Sequence, residues 1–446
     1  MQTRRDQLQA YQFAMGRLAT ALVSGDPGMG ESPTRRSALG TLFSAGIAVL
    51  LCAGFWVYGL VSPGGNTSWR QAGSIIVEEE TGNRYLYLGG ELRPVRNYAS
   101  ALLIAGNGAT VQSVSRNSLA GVRHGAPVGI AEAPDSVPAA SALLSGVWNR
   151  CLRPDVSGGQ VLDFDPADRS SAIPDNRRVL LSAPGGTPYL LWHGTKYRVP
   201  SRAALIALGL DDQQPLAAPK NWLSAVPTGV TLAPADIPGL GKTAGKVAGH
   251  AVTVGQLFES IAGGVDHHYV MRSDGVAPIS ATESALLAAQ PGAAVALRMD
   301  ASDIAVTPVS SDRTMMKRLP DVLNVRTLDA AESVICLRQR TRGESLRNEV
   351  VVESGAAASG ARHVLIPPGG GVLAVEQAQS SPQSATQRMY LINEQGMAYP
   401  LANDQARQAL GYGRASALPL PEAVLGLLRR GPVLSTPVAA ATVRGG

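Results

Sequence analysis

The stretch TRRSALGTLFSAGIAVLLCAGFWVYGLVSPGG, which begins at Thr34, constrains this chain more than any other feature. No acidic, basic or histidine residue lies between Arg36 and Arg70. As a helix rising about 1.5 Å per residue, the apolar part from Ala38 to Val61 would measure about 36 Å, whereas the hydrocarbon core of a bilayer is about 30 Å thick. The sequence therefore predicts a helix that spans a membrane.

The flanks of this stretch favour a retained span over two other interpretations. A soluble core helix would carry polar residues on a solvent face, and none recur here. A cleaved signal is the stronger alternative, because Thr34-Arg35-Arg36 resembles a twin-arginine signal. However, the segment starts late, its apolar part is long, and no A-x-A cleavage site follows Val61. Aromatic residues near its far end fit a membrane interface, and the run Ser62–Asn66 should end the helix.

Positive charge predicts how the span is oriented. Basic residues lie on the near side at Arg4, Arg5, Arg17, Arg35 and Arg36. Only Arg70 lies close on the far side. Because basic flanks stay in the cytoplasm, we expect residues 1–36 inside the cell and the bulk of the chain outside it, in a single-pass protein of the inner (cell) membrane.

The cytoplasmic segment contains QLQAYQFAMGRLATAL, which has helical periodicity. Thr3 should cap this helix together with Asp6, and Gly25 and Pro27 should end it. The apolar face consists of Leu8, Tyr11, Met15, Leu18 and Leu22. One amphipathic helix is not stable alone in water, so this face must meet lipid or another protein. The face is small and only lightly basic, which favours a partner protein.

Four later segments resemble one another. Each reads as an apolar strand, a turn with glycine, a short strand and a small helix, since the hydrophobic period changes from two to about 3.6. They begin at Tyr85, Tyr189, Tyr269 and Tyr390, and their turn glycines are Gly90, Gly194, Gly275 and Gly396. Their unequal spacing excludes a regular solenoid.

Two intervening stretches, 110–170 and 293–380, read as strand-rich pieces of one central domain. Cys151 lies in the first and Cys336 in the second. Two distant cysteines in a cytosolic protein are usually separate buried thiols, whereas outside the cytosol they favour a disulfide. Such a bond would join the two halves of the central domain.

The sequence therefore predicts an α+β protein with an elongated external domain, a β-rich core and four small αβ repeats. The predicted segments are a cytoplasmic arm 1–36, a transmembrane helix 37–61, a linker and first repeat 62–109, a first core segment 110–170, a second repeat 171–220, a Pro/Gly-rich linker 221–245, a third repeat 246–292, a second core segment 293–380, a fourth repeat 381–430 and a C-terminal tail 431–446.

These motifs resemble a known family. QLQAYQFAMGRLATAL, TPYLLWHGTKYRVPS, NWLSAVPTGVTLAPADIPGLG and VLIPPGGGVLAVE are similar, in this order, to segments of the EccB family. EccB proteins are membrane components of actinobacterial type VII (ESX) secretion systems. GPVLSTPVAA near the C-terminus also matches.

The resemblance implies a structural and assembly subunit of a secretion complex. It implies as partners EccC (the motor ATPase), EccD, EccE and other copies of the same protein. It also implies the family's disulfide between Cys151 and Cys336, and no role for Cys52.

The net charge of +5, with no dense basic run among aromatics, gives no indication of nucleic-acid binding.

ATPase activity is sometimes attached to the family, so the P-loop-like residues Gly241, Lys242 and Thr243 need scrutiny. A P-loop requires a glycine where this chain has Asp236, and a buried strand before it. The upstream run is rich in proline instead. The sequence therefore predicts a linker here, with no cofactor, and a membrane-bound external ATPase is the alternative.

Other chemical signatures are weak. Asp266-His267-His268 could suggest a metal, but we expect an exposed turn before Tyr269 and no metal site. No G-x-S-x-G or H-E-x-x-H motif is present, so no catalytic residue is predicted. A cell-wall-binding module is a further alternative, in which Tyr85, Tyr87, Tyr189 and Tyr269 would grip glycan; a core role for them is expected.

Overall fold

A computed structural model describes residues 4–25, 34–61, 67–71, 73–328, 333–342, 345–377 and 388–443. Its helices are α1 (Arg4–Ser24), α2 (Thr34–Val61), α3 (Tyr98–Ala105), α4 (Arg116–Leu119), α5 (Arg202–Ala207), α6 (Lys220–Leu223), α7 (Ala281–Ala288), α8 (Ala301–Val306), α9 (Ala356–Ser359), α10 (Asp404–Ala409), α11 (Glu422–Leu425) and α12 (Thr436–Ala440).

Strands make up much of the rest. They are β1 (Ser74–Glu78), β2 (Arg84–Leu88), β3 (Glu91–Pro94), β4 (Thr110–Val114), β5 (Trp148–Leu152), β6 (Gln160–Asp163), β7 (Ser170–Ala172), β8 (Arg177–Ser182), β9 (Pro188–Trp192), β10 (Thr195–Arg198), β11 (Leu216–Ala217), β12 (Thr243–Val247), β13 (His250–Thr253), β14 (Leu257–Ala262), β15 (Val265–Arg272), β16 (Gly275–Ile279), β17 (Leu297–Arg298), β18 (Arg326–Thr327), β19 (Ser333–Arg342), β20 (Ser345–Ser354), β21 (Val364–Leu365), β22 (Gly371–Gln377), β23 (Met389–Asn393), β24 (Met397–Leu401), β25 (Leu418–Pro421) and β26 (Arg429–Arg430). The predicted α+β class is confirmed.

The chain divides into two compact units, which are described separately. The first contains Met1–Arg70, Val77–Gly82 and Ser113–Val122. Helix α1 ends where Gly25 takes φ 67°, and the Gly25 N–H donates to the Ala21 carbonyl at 2.8 Å. Glycine adopts this left-handed conformation without a steric cost, so it terminates the helix. Thr3 and Pro27, expected to bound this helix, lie outside the described residues.

Helix α2 corresponds to the predicted span. It has 28 residues and begins at Thr34, so Arg35 and Arg36 belong to its first turn rather than preceding it. Its segment Leu39–Gly59 has 21 residues and a mean hydropathy of 1.9, so by length and composition it can cross a membrane. The helix ends at Val61, and the run 62–66 lies outside the described residues.

The four similar segments form sheets with the same strand order. The orders are β3-β2-β1-β4, β10-β9-β8-β11, β16-β15-β14-β17 and β24-β23-β22-β25. In the last three sheets, β11, β17 and β25 run parallel to β8, β14 and β22, respectively. The two strands of each hairpin, such as β15 and β16, are antiparallel. The sequence pattern captures the hairpin at one side of each strand order but omits the two strands at the other side.

The predicted boundary at residue 380, between the second core segment and the fourth repeat, does not match the observed strand pairing. Strand β22 pairs with β23 and so belongs to the fourth sheet rather than to the core. The physical reason is burial: the first four residues of β22 are all buried, so the strand shows no alternation of apolar and polar residues.

Turn chemistry explains the first two hairpins. The loops between β2 and β3 and between β9 and β10 have two residues each, Gly89-Gly90 and His193-Gly194, and all four have positive φ. Two-residue turns with positive φ match the right-handed twist of the flanking strands.

Each sheet carries one helix that begins at a side-chain cap. Asn97, Ser201, Ser280 and Asn403 each accept a hydrogen bond at 3.0–3.1 Å from the backbone N–H three residues later. The cap satisfies a donor that has no partner within the helix, which fixes where α3, α5, α7 and α10 start.

A six-stranded central sheet combines distant parts of the chain. Its order is β21-β6-β5-β19-β20-β7, so residues 148–172 pair with residues 333–365. Trp148 and Phe164 of the central part pack against Tyr390 and Ile392 of the fourth sheet. Strands β5 and β19 also pack against β8 and β9 of the second sheet.

The outer sheets pack on the inner ones. Leu103 of α3 packs in a cluster with Leu391 and Leu410, so the first sheet contacts the fourth. Leu286 of α7 packs with Leu190 and Leu208, so the third sheet contacts the second. The order of contact is therefore first, fourth, centre, second, third.

We expect Asn403→Ala to lower the free energy of unfolding by about 1 kcal/mol, because the Ala406 N–H loses its acceptor. Asn403→Asp keeps an acceptor and should retain most of the stability. Chemical unfolding of the purified chain in detergent measures both. Equal losses in the two variants would contradict a capping role.

Candidate functional site

A disulfide clamps the centre of the second unit. Cys151 of β5 and Cys336 of β19 are directly opposite in the antiparallel register, and their sulfur atoms are bonded. Both residues are fully buried. The bond closes a loop with a sequence separation of 185, for which chain entropy predicts about 5 kcal/mol of stabilisation.

Glu353 of β20 lies against this disulfide and is 0% exposed. Its Oε2 accepts a hydrogen bond from Asn149 Nδ2 at 2.6 Å. The same oxygen lies 3.2 Å from Cys151 Sγ and 3.6 Å from Cys336 Sγ. These two are van der Waals contacts rather than hydrogen bonds, because a disulfide sulfur carries no hydrogen.

The carboxyl groups of Glu353 and Asp163 lie near a single cation, the Arg169 guanidinium. Burial, and after it a hydrogen bond with the 1% exposed Asp163, raises the pKa of Glu353 to about 8. Asp163 Oδ2 accepts from Arg169 Nη2 at 2.7 Å. One guanidinium cannot neutralise two buried carboxylates, so Glu353 keeps its proton at neutral pH.

Cys151, Cys336 and Glu353 converge as metal ligands do. Metal binding requires thiolates, and both sulfur atoms are committed to the disulfide. This cluster therefore braces the sheet. Neither Glu353 nor Asp163 was predicted from the sequence. The available signal was an acidic residue on the same side of the β20 strand as the buried Val351.

The predicted partner-binding face lies on α1. Leu8, Tyr11, Met15, Leu18 and Leu22 are between 50% and 79% exposed. Apolar exposure also extends beyond this face, because Phe13 is 69% exposed on another side of the helix. The Arg17 guanidinium lies 5.9 Å from the centre of the Phe13 ring. The sequence pattern missed Phe13 because it does not fit the spacing of the other five.

The P-loop-like residues form a turn that enters a strand. The Gly241 N–H donates to the Val254 carbonyl at 2.9 Å, and the Lys242 N–H donates to the Gly239 carbonyl at 3.0 Å. Thr243 begins β12, which pairs with β13. A phosphate cradle needs such N–H groups to be free and a helix to follow. Here both N–H groups are already bonded to main-chain carbonyls of the protein.

The expectation of an exposed turn at Asp266-His267-His268 is wrong. These residues lie in β15, opposite Ile261, Ser260 and Glu259 of β14. The strand pairing extends the hairpin to its tip, although the local composition is polar. The two histidines therefore point to opposite faces of the sheet.

Two of the four tyrosines proposed to grip glycan pack against the interior of the sheets. Tyr189 and Tyr269 lie against apolar clusters. A cleft of about 990 Å³ lies between the central and fourth sheets, with Arg362, His363 and Arg429 in its wall. No Trp, Tyr or Phe of the described chain lines it. Such a wall gives a sugar ring no aromatic face on which to stack.

Comparisons with known proteins agree across the chain. A family model described as "Type VII secretion system ESX-1, transport TM domain B", of the EccB proteins, matches residues 1–445. The chain is 27% identical over 474 residues to the "ESX-5 secretion system ATPase EccB5" of Mycobacterium marinum, covering 97% of this chain and 92% of that protein.

Two solved structures share the fold. A chain of an intact ESX-5 inner membrane complex matches with a TM-score of 0.56 and 24% identity, covering 100% of this chain and 96% of that chain. A chain of an EccB3 dimer from the ESX-3 core complex matches with a TM-score of 0.52 and 25% identity, covering 82% of this chain and 99% of that chain.

We expect the stability of the second unit to fall as pH rises. Between the usual pKa of 4.5 and the folded value of about 8, the unfolded state binds fewer protons than the folded state, so the free energy of unfolding decreases across this window. Glu353→Gln, which has no proton to lose, should flatten the slope. Thermal unfolding from pH 5 to 8 measures it.

The matched control is Glu349→Gln, because Glu349 lies on the same strand and its side chain is 57% exposed. This variant should keep the slope of the parent. A slope in Glu353→Gln equal to that of the parent would contradict the assignment.

Proposed function

Because the chain belongs to the EccB family of type VII secretion proteins, we propose that it is a membrane-anchored structural subunit of a type VII secretion complex in the inner membrane. The observation that carries this proposal is the match of the family model over residues 1–445, which includes α1, α2 and all the described sheets. The likeness to a chain of an ESX-5 inner membrane complex supports it.

In this proposal α2 anchors the protein with its N-terminus in the cytoplasm. Arg35 and Arg36 lie in the first turn of α2, where basic residues favour the cytoplasmic side. The disulfide between Cys151 and Cys336 supports an extracytoplasmic second unit, because disulfides persist in oxidising compartments. The second unit then forms the external platform of the complex.

Helix α1 is proposed to bind a neighbouring subunit on the cytoplasmic side. Its exposed apolar side chains are too many for a solvated helix of a free protein. Proposed partners are the EccC, EccD and EccE subunits and other copies of this chain. Association would bury Leu8, Tyr11, Met15 and their neighbours and so stabilise the isolated helix.

The second candidate function is ATP hydrolysis outside the membrane, which rests on the word "ATPase" in the printed names of relatives such as EccB5 of M. marinum. The chemistry of the Gly241–Thr243 turn supports the structural proposal instead, because the N–H groups of Gly241 and Lys242 already donate to the main-chain carbonyls of Val254 and Gly239.

The arm proposal predicts that a variant with Leu8, Met15, Leu18 and Leu22 changed to Gln loses its partners. Glutamine keeps the helix propensity but removes the apolar face. The variant should remain in the membrane through α2 but no longer co-purify with other subunits in mild detergent. Gln7→Ala with Gln12→Ala in the same helix is the control and should co-purify normally. Normal co-purification of the Gln variant would refute the proposal.

The structural role predicts that Lys242→Ala leaves secretion and membrane-complex assembly unchanged. Lys246→Ala, another exposed lysine in the adjoining strand β12, is the matched control. Secretion of a reporter substrate and ATP hydrolysis by the purified complex are measured. A loss confined to Lys242→Ala, with normal assembly, would favour the hydrolase over the structural subunit.

A further inference from the structure

The hairpin of β19 and β20 is longer than the strands beside it. Each of its two strands has ten residues. On one side, β5 pairs with β19 only at residues 336–339. On the other side, β7 pairs with β20 only at residues 351–353. Among the strands of the described chain, none covers the outer edge of β20 from Leu346 to Val350.

Arginines are concentrated on one face of this hairpin. Because opposite residues in an antiparallel pair share a face, Arg338 lies beside Glu349, and Arg340 lies directly beside Arg347. Arg338 is already engaged: its Nη2 donates to the Ser170 carbonyl at 2.8 Å, and its Nη1 lies 3.5 Å from Glu349.

Arg340 and Arg347 are different. Both are exposed, and within the described residues neither has an acidic partner. Like charges directly opposite each other on a sheet destabilise the pair. An arrangement that costs stability in the free protein is explained when an anion binds between the two guanidinium groups.

The other face holds the hairpin in place. Gln339 Nε2 donates to Asn348 Oδ1 at 2.8 Å, and Asn348 Nδ2 donates to the Ala225 carbonyl at 3.0 Å. Leu346 packs against the apolar cluster around Trp148. The arginine face is therefore presented on a fixed element, which reduces the entropy lost on binding.

We propose that the outer edge of β20 between Leu346 and Val350 binds an acidic, extended polypeptide segment of a partner protein, whose carboxylates pair with Arg340 and Arg347. An added strand satisfies the free main-chain groups of the edge, and residues at every second position face the arginines. A lipid headgroup or a free phosphate would use the charges but not the edge.

The probes are three fluorescent decapeptides: one that alternates Glu and Val, one with Gln in place of Glu, and one with every second Val replaced by Pro. The first should bind the full chain in zwitterionic nanodiscs, and 0.5 M salt should weaken it. The Gln peptide, which lacks charge, and the Pro peptide, which lacks strand N–H groups, should each bind about tenfold or more weakly.

Arg340→Gln with Arg347→Gln should weaken the Glu–Val peptide by about tenfold or more, as expected when charge-assisted hydrogen bonds are lost. The unfolding temperature of this variant should not decrease, since two like charges are removed. Arg198→Gln with Arg202→Gln, which changes two exposed arginines of β10 and α5, is the matched control and should bind like the parent.

Three outcomes would overturn the proposal. The Pro peptide could bind as tightly as the Glu–Val peptide, which would show attraction by charge alone. Anionic vesicles could bind the parent while the Glu–Val peptide does not, which would identify a lipid surface. The arginine variant could bind the Glu–Val peptide as tightly as the control does. Each outcome is independent of the membrane-subunit proposal, because the arm and the hairpin lie on different elements.

Discussion

The pairing of β5 with β19 is the interaction on which the second unit depends. It joins two strands that are distant in sequence, and the disulfide between Cys151 and Cys336 fixes their register. The second and third sheets lie within the loop that this pairing closes, and the fourth sheet packs on the same central strands. Without this pairing, the central sheet would divide into two three-stranded pieces, β21-β6-β5 and β19-β20-β7, which sit at the lower limit for an independently stable sheet.

The four outer sheets show how one local solution is used repeatedly. In each of them, a hairpin is followed by a capped helix and a short strand. Neighbouring sheets also share apolar clusters in pairs, as the clusters around Leu103 and Leu286 show. The repeated sheets therefore contact one another in pairs, the first with the fourth and the second with the third, and do not form one continuous stack.

Much of this architecture could be predicted from the sequence, because it rests on local signals. The charge-free stretch predicts α2, the apolar spacing predicts α1, and glycines such as Gly90 and Gly194 mark the hairpins. Strand β22 was misassigned because it is buried at its start and so lacks alternation. His267 and His268 were misplaced because cross-strand pairing outweighs local polarity. The environment of Glu353 could not be predicted, since it depends on strands far apart in sequence that meet only after folding.

The packing of the first sheet on the fourth has a consequence for biogenesis. A ribosome delivers Leu103 long before Leu391 and Leu410, yet all three belong to the same apolar cluster. The apolar surface of the first sheet therefore stays exposed until nearly the whole polypeptide has been synthesised. Contacts so distant along the chain form slowly, and the waiting surface is prone to aggregate. Such a protein is expected to require a chaperone during its synthesis, and a truncation that removes the C-terminal segment would expose the apolar surface of the first sheet, which comes from the opposite end of the chain.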